Sequence, residues 1–176
     1  MNLILDDPST WVRFVGILAF LLNMLGFLII HPQKTKLTVA AGSFAWALQY
    51  WLLQATTGMW ILLLAGVRQT ISAYTDGLPK VARLYLAFFF CAVALLLAGL
   101  TWSGWLSSAM PLAATWIGTW AFFMMSNKAL RQTTLVSNAM WATYGYWSGS
   151  YELCLTMIVL SLATLTGLFR LRVHRV

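Results

Sequence analysis

The chain has 176 residues, of which 61% are hydrophobic and 9% are charged, and its mean hydropathy is +0.79. Soluble domains carry about 25% charged residues, so this composition excludes a soluble globule and predicts an integral membrane protein. The net charge of +7 is concentrated in short segments between apolar stretches. That placement is typical of a membrane topology signal, and we expect no nucleic-acid partner.

Seven stretches are apolar enough to form transmembrane helices, on the rule that a helical span needs roughly 20 mainly apolar residues. The predicted spans are 11–30, 37–54, 58–74, 81–101, 105–125, 132–147 and 151–171. The third and the sixth are short for a full crossing of the bilayer. The predicted fold class is an all-α membrane protein that forms one integral domain over residues 1–176.

The basic residues indicate the orientation, because Lys and Arg in short loops are retained on the cytoplasmic side. With seven spans, one side of the membrane carries Lys34, Lys36, Lys80, Arg83, Lys128, Arg131, Arg170, Arg172 and Arg175. The other side carries Asp6, Asp7, Arg13 and Glu152. The pattern predicts an N-out, C-in protein whose first partner is the lipid bilayer.

Short sequence matches occur in the same order in the two halves of the chain. VGILAF at 15–20 matches IGTWAF at 117–122, and SFAWA at 43–47 matches NAMWA at 138–142. A glycine-containing turn follows the second match in each half. The matches predict an internal repeat of a three-span unit.

The repeats are expected to cover 11–74 and 105–171, with a linker helix at 81–101. A three-span unit crosses the membrane an odd number of times, so one extra span restores a parallel orientation of the second copy. The linker contains almost no polar group, which is typical of a lipid-facing helix. We therefore predict two parallel three-helix bundles joined by a linker helix (3+1+3), related by a pseudo-twofold axis along the membrane normal.

The sixth predicted span contains the string N-x-x-W-x-x-Y-G, formed by Asn138, Trp141, Tyr144 and Gly145. It is similar to the pattern in the middle helices of SWEET sugar transporters, and the 3+1+3 layout resembles that of SWEET, SemiSWEET and PnuC proteins. The segments HPQKTKLTVAAGSFAWALQYWLL and IGTWAFFMMSNKALRQTTLVSNAMWATYGYWSGS resemble the YgjV-type family of bacterial inner-membrane proteins. The resemblance implies an inner-membrane location. SWEET bundles also carry an Asn in the third helix of each half, which spans three and seven lack, so a sugar is not implied.

Helical geometry nominates the residues that face a central cavity, because positions three, four and seven apart share a face. The candidate solute-binding residues of the second and sixth spans are Ser43, Trp46, Tyr50, Asn138, Trp141 and Tyr144. Aromatic faces beside a few hydrogen-bonding groups suit a small solute. The alternative is that the aromatic residues belong to interfacial belts and the small ones to helix packing.

Arg68 is the one charged residue well inside a predicted span. Charge within the membrane costs about 2.5 to 3.5 kcal/mol on insertion scales. Arg68 therefore either snorkels to the interface or pairs within the protein, or it binds an anionic or carboxylate-bearing solute. Asn23, in the first span, is a weaker candidate, with interhelical hydrogen bonding as its alternative role.

The sequence contains no paired carboxylates, no Cys/His cluster, no nucleophile elbow and no phosphate-binding glycine loop, so we expect neither an enzyme nor a cofactor or metal site. The predicted function is a passive or weakly coupled carrier of a small solute such as a sugar, vitamin or organic acid, acting by alternating access. The alternative is a non-transporting multi-pass membrane protein with an interaction or scaffolding role. A homo-oligomer is compatible with either function.

Overall fold

The structure is a computed structural model that describes residues 8–29, 32–75, 77–125 and 127–173. Within these residues the chain forms seven α-helices and one π-helical turn, and no β-strand. The helices are α1 Pro8–Leu28, α2 Pro32–Leu52, α3 Thr56–Ser72, α4 Lys80–Leu100, α5 Met110–Met124, α6 Asn127–Trp147 and α7 Tyr151–Val173, with the π-helix Trp105–Ala109 before α5. Each α-helix corresponds to one predicted span, which confirms the all-α fold.

Two helices begin more than a full turn before the residue that the hydropathy pattern predicts. α2 begins at Pro32 and α6 begins at Asn127, before the predicted 37 and 132. Hydropathy marks the apolar part of a helix, whereas backbone hydrogen bonding continues through a polar first turn, where proline is also tolerated. α6 therefore has 21 residues and is not short, whereas α3 has 17 and is short as expected.

Consecutive helices are joined by short turns and run antiparallel. At one end of the molecule, Gln49 Nε2 in α2 donates to Glu152 Oε2 in α7 at 3.1 Å. At the other end, Lys36 Nζ donates to the Ser72 carbonyl of α3 at 2.9 Å. We refer to these as the Glu152 end and the Lys36 end. The odd-numbered helices begin at the Glu152 end and the even-numbered helices begin at the Lys36 end.

The same packing order occurs on both sides of α4. α2 packs against α1 and α3, and α6 packs against α5 and α7. Between the two halves, α1 contacts α7 and α3 contacts α5. Among the described residues, α4 packs mainly against α5 and α3. The first three and last three α-helices thus form two sets that meet along two seams.

α4 buries a narrow stripe of mostly small residues. Ala87, Ala94 and Ala98 are fully buried, and Phe90 stacks on Phe123 of α5 with ring centroids 6.2 Å apart. Small side chains let helices approach closely where lipid provides no hydrophobic drive for association. The remaining face of α4 is apolar and exposed, as expected for a helix that meets lipid.

Length and mean hydropathy alone select α4 as the single helix, among the described residues, that is able to cross a bilayer. Its mean hydropathy is 2.3 over Lys80–Leu100, and shorter apolar stretches run from Thr10 to Gly26 and from Tyr151 to Leu162. Some helices, such as α3 and α5, are too short for this criterion, and others, such as α2 and α6, contain more polar residues. Because those residues lie mainly between helices, they lower the hydropathy of a helix without placing polar groups against lipid.

The turn between α6 and α7 positions the polar residues at the Glu152 end. Gly149 has φ +80°, a conformation that suits glycine because it lacks a Cβ. Ser150 N donates to the Gly145 carbonyl at 2.8 Å, and Gly149 N to the Tyr146 carbonyl at 3.4 Å, which is the Schellman arrangement for ending a helix. This turn places Ser150 beside the last turn of α2.

Candidate functional site

A cavity of about 120 Å³ lies between the two sets of helices. Its described wall comes from α1, α2 and α3 and from α5, α6 and α7, and α4 contributes none of it. The wall combines indole rings with amide, hydroxyl and guanidinium groups. Among the described residues, no group of His, Cys, Asp and Glu is placed to hold a metal ion.

Most of the predicted site residues line this one cavity. They are Asn23, Ser43, Trp46, Arg68, Asn138 and Trp141. All six are buried, from 2% exposed for Trp46 to 9% for Trp141. The structure therefore brings together side chains from four helices that are distant in sequence. Their contact with a solute stays a prediction.

Ser43 in α2 and Asn138 in α6, which the sequence matches pair with each other, make similar contacts. Ser43 Oγ in α2 donates to Gln69 Oε1 in α3 at 2.8 Å. Asn138 Nδ2, at the matching place in α6, donates to Ser161 Oγ in α7 at 3.3 Å. Asn23 Nδ2 instead donates to a backbone carbonyl one turn earlier in α1, at 2.9 Å. Each half thus has a polar link from its second helix to its third, beside the cavity.

Arg68 is buried inside the protein and does not snorkel to the surface. It is 5% exposed, and Nη1 donates to the Thr115 carbonyl of α5 at 3.2 Å and to Thr119 Oγ1. The guanidinium carbon lies 5.3 Å from the centre of the Phe122 ring, which provides a cation–π contact. Glu152 is the one acidic residue in the described part of the chain, and it lies at the opposite end of the molecule.

Several buried polar atoms of the cavity wall have no hydrogen-bond partner among the described residues. They are Trp46 Nε1, Arg68 Nε and Thr115 Oγ1. One further atom of this kind, Arg83 Nε in α4, lies outside the cavity wall. Buried polar groups in native proteins are usually satisfied, and exceptions often mark sites of function. The unsatisfied groups are therefore concentrated around this cavity.

The other two predicted site residues, Tyr50 and Tyr144, form a stacked pair toward the Glu152 end. Their ring centroids are 5.2 Å apart with an interplanar angle of 12°. Ser148 Oγ donates to the Tyr50 hydroxyl at 3.1 Å, and Tyr144 meets the edge of Trp141 at 5.8 Å. Gly58 packs against both rings, and a Cβ at this position would approach Tyr50 to 2.8 Å. Residues of α2, α3 and α6 thus form and surround the pair.

A second pocket, of about 620 Å³, lies on the Glu152 side of the tyrosine pair. Its wall is about half polar and includes Thr57, Ser103, Tyr144 and Ser148. Tyr144 contributes to this pocket and also contacts Trp141, which lines the inner cavity. Tyr144 therefore lies between the inner cavity and this pocket, which we call the vestibule.

Gln49 is the central residue of a network that the sequence did not predict. Its side chain is fully buried, and Nε2 donates to the Val12 carbonyl at 3.2 Å and to Glu152 Oε2 at 3.1 Å. Ser150 Oγ donates to Gln49 Oε1 at 2.7 Å. Gly16 of α1 leaves the space that this amide occupies. The network joins α1 and α2 of the first half to α7 of the second.

Sequence reasoning also missed parts of the cavity wall. Gln69, Thr115 and Gly118 line the cavity but were not predicted as site residues. The spacing of Leu62, Ala65 and Gln69 follows the i, i+3, i+7 pattern of one helix face, which is a usable signal. Gly118 belongs to the predicted repeat, and the structure places the Arg68 guanidinium beside it: a Cβ there would lie 3.7 Å from Nη1.

The distribution of side chains defines the class of protein. Large apolar residues such as Phe14, Leu96 and Leu162 face outward, each more than half exposed. Polar residues such as Gln49 and Thr119 are fully buried between helices. Apolar exteriors around polar interiors are typical of polytopic helical membrane proteins.

The family follows from comparison with known sequences. A model of the Imp-YgjV family, described as a bacterial inner membrane protein, matches residues 10–175. The chain belongs to that family, and its location in the bacterial inner membrane confirms the predicted localisation. No curated protein and no solved structure gives a significant match to this sequence.

Proposed function

We propose that this protein is a carrier that moves a small solute across the bacterial inner membrane by a passive or weakly coupled route. The observation that carries the proposal is a cavity walled by six helices, three from each half of the chain, whose lining includes amide, hydroxyl and guanidinium groups. Binding sites of many secondary transporters lie at the interface of two structural repeats near the bilayer midplane. A cavity at this interface, with Tyr144 between it and the vestibule, suits alternating access.

The proposed architecture is the 3+1+3 arrangement of two parallel bundles, similar to that of SWEET proteins. Exchanging the halves converts the seam between α3 and α5 into the seam between α7 and α1, and both seams occur. The order in which the helices pack is also the same within each half, because the second helix of each half packs against the first and the third. The absence of α4 from the described cavity wall supports its role as a linker.

The proposed orientation places the Lys36 end in the cytoplasm and the N-terminus outside, because this end carries the predicted basic loops. In a variant with Cys91 and Cys154 replaced by alanine, Lys34→Cys should react with a membrane-impermeant maleimide only after spheroplasts are opened. Ser103→Cys, at the Glu152 end, should react in intact spheroplasts. Labelling of Lys34→Cys from outside, at the rate of Ser103→Cys, would refute this orientation.

The size of the cavity favours some solutes over others in this conformation. An engineered cavity of about 150 Å³ holds one benzene molecule. The volume of about 120 Å³ thus suits about six non-hydrogen atoms or fewer. An organic acid of low mass fits this space better than a hexose or a vitamin does.

Alanine substitutions in the cavity wall test the transport proposal. Proteoliposomes are mixed with radiolabelled organic acids, sugars or vitamins, and passive uptake is measured. At least one of these solutes should enter the proteoliposomes faster than it enters protein-free liposomes. Trp46→Ala, Trp141→Ala and Asn138→Ala should each lower that rate at least about tenfold, since interactions of about 1.4 kcal/mol correspond to a tenfold change. Trp51→Ala, which removes an exposed indole from the same helix as Trp46, is the control.

Two results would count against the proposal. If all three cavity variants transport like the unmodified protein, the solute does not pass through this cavity. If no solute enters faster than into protein-free liposomes, the non-transporting interaction or scaffolding role becomes the better account. Running the same samples on size-exclusion chromatography with light scattering will show whether the carrier is a monomer or a homo-oligomer.

A further inference from the structure

Arg68 uses only part of its hydrogen-bonding capacity within the protein. Both of its hydrogen bonds, to the Thr115 carbonyl and to Thr119 Oγ1, are donated by Nη1. Nε has no partner among the described residues. Nε and Nη2 together form one edge of the guanidinium, and this edge binds a carboxylate through two parallel hydrogen bonds. Within the described part of the chain, Arg68 is thus anchored through Nη1, and its carboxylate-binding edge, which includes the unpartnered Nε, makes no hydrogen bond.

The charge of Arg68 is not balanced by any described acidic residue. Glu152 is engaged with Gln49 at the far end of the molecule, and the Phe122 ring supplies only a cation–π contact. Burying a charge is costly unless it is paired and hydrogen-bonded. An anion beside Arg68 would remove this cost, whereas a neutral solute would leave it in place.

Two further donors in the same wall lack a partner. Trp46 Nε1 is a donor only, and the Thr115 hydroxyl both donates and accepts; neither has a hydrogen bond through these atoms among the described residues. A ligand that brings several acceptor oxygens would satisfy both groups together with Arg68. A carboxylate with an adjacent hydroxyl or carbonyl oxygen has this character.

The wall also disfavours a ligand that carries its own positive charge. No described lining residue is acidic, so an ammonium group would find no carboxylate partner beside Arg68. Amino acids are therefore poorer ligands than acids that lack an amino group. The volume of about 120 Å³ restricts the ligand to about six non-hydrogen atoms in total.

We propose that the ligand of this cavity is a small monocarboxylate, such as a short 2-hydroxy or 2-oxo acid, bound by the Nε and Nη2 edge of Arg68. This inference rests on the proposed function only in taking the cavity as the solute site. Trp46 and Thr115 supply further hydrogen bonds to the oxygens of the acid. The site thus recognises a carboxylate through two parallel hydrogen bonds from Arg68, and not through its charge alone.

Equilibrium binding of radiolabelled L-lactate to the detergent-purified protein tests this proposal directly. Unlabelled acetate and pyruvate should displace the lactate, whereas glucose and L-alanine should not. Nitrate, a planar anion without a carbon chain, should displace it much less effectively than pyruvate. Arg68→Gln should weaken lactate binding at least about tenfold, as expected for loss of charge-assisted hydrogen bonds. Arg68→Lys should also weaken lactate binding, because an ammonium group retains the charge but cannot donate two parallel hydrogen bonds as a guanidinium does.

Matched variants separate binding from folding. Thr115→Val removes a hydroxyl that has no side-chain partner, so the thermal unfolding midpoint should not fall while lactate affinity drops several-fold. Arg83→Gln removes the same charge and a similarly unpartnered Nε outside the cavity, so lactate binding should be unchanged. If Arg68→Gln fails to fold, Thr115→Val still reports on the site.

The outcomes distinguish this inference from the proposed function. Equal lactate binding by the unmodified protein and Arg68→Gln, or displacement by glucose or L-alanine as effective as by acetate, overturns the monocarboxylate assignment. Carrier activity for a neutral solute that Arg68→Gln leaves intact would keep the proposed function and reject this ligand. Tight, Arg68-dependent lactate binding without uptake into liposomes would keep this ligand and reject the proposed carrier function.

Discussion

Replacing Gln49 by leucine is expected to lower the free energy of unfolding more than any other single amide substitution in the described helices. The change removes its hydrogen bonds to Val12, Ser150 and Glu152 and leaves the carboxylate beside an apolar side chain. Single interhelical hydrogen bonds in membranes contribute about 0.6 kcal/mol on average, but several are lost together here, so we expect about 2 to 4 kcal/mol.

Thermal unfolding in detergent, followed by circular dichroism, measures this effect. Gln132→Leu is the matched control, because it makes the same substitution at an exposed position of α6. Glu152→Gln should cost less than Gln49→Leu, since a neutral amide still accepts the hydrogen bond from Gln49. A loss of stability in Gln132→Leu as large as that in Gln49→Leu would show that the network is not the cause.

The second large effect is expected at the stacked tyrosines. Tyr144→Ala should open a path between the vestibule and the inner cavity, because this ring contributes to the vestibule and contacts the cavity wall. In a background with Cys91 and Cys154 replaced by alanine, Ser43→Cys reports access to the cavity. With Tyr144→Ala added, this thiol should react with a small impermeant thiosulfonate from the Glu152 side at least about tenfold faster, the change expected for loss of a barrier of about 1.4 kcal/mol.

Two control variants are needed to interpret that result. Tyr144→Phe keeps the ring and should leave the thiol protected. Tyr146→Ala removes an exposed tyrosine of the same helix, at 70% exposure, and should also leave it protected. Should Ser43→Cys react equally fast in Tyr144→Ala and Tyr146→Ala, the tyrosine pair is not the barrier between the two spaces.

Local patterns in the sequence were sufficient to identify the helices and most of the cavity residues. Trp46 and Trp141 occupy the same place in two short matching segments, and the period of the helix puts Ser43 and Asn138 on the same faces. These properties depend only on neighbours within one or two turns. They could therefore be predicted without knowing which helices meet.

Tyr50 and Tyr144 show the limit of this reasoning. Tyr50 shares a face with Ser43 and Trp46, and both tyrosines were expected to line the cavity. The structure instead stacks the two rings on each other, beyond the described cavity wall. Helical spacing fixes the direction of a side chain but not its height relative to a residue on another helix, and that height decides what it contacts.

The sequence by itself determined that this is an all-helical membrane protein, because its composition and apolar spans leave no other solvent for the chain. It also placed Arg68 inside a helix, but a long flexible side chain at that depth is able to reach either the interface or the interior. Only the tertiary structure decided between them: acceptors on α5, in the other half of the chain, hold the guanidinium in the cavity wall. Contacts between residues this far apart in sequence leave no periodic trace, and they define the site.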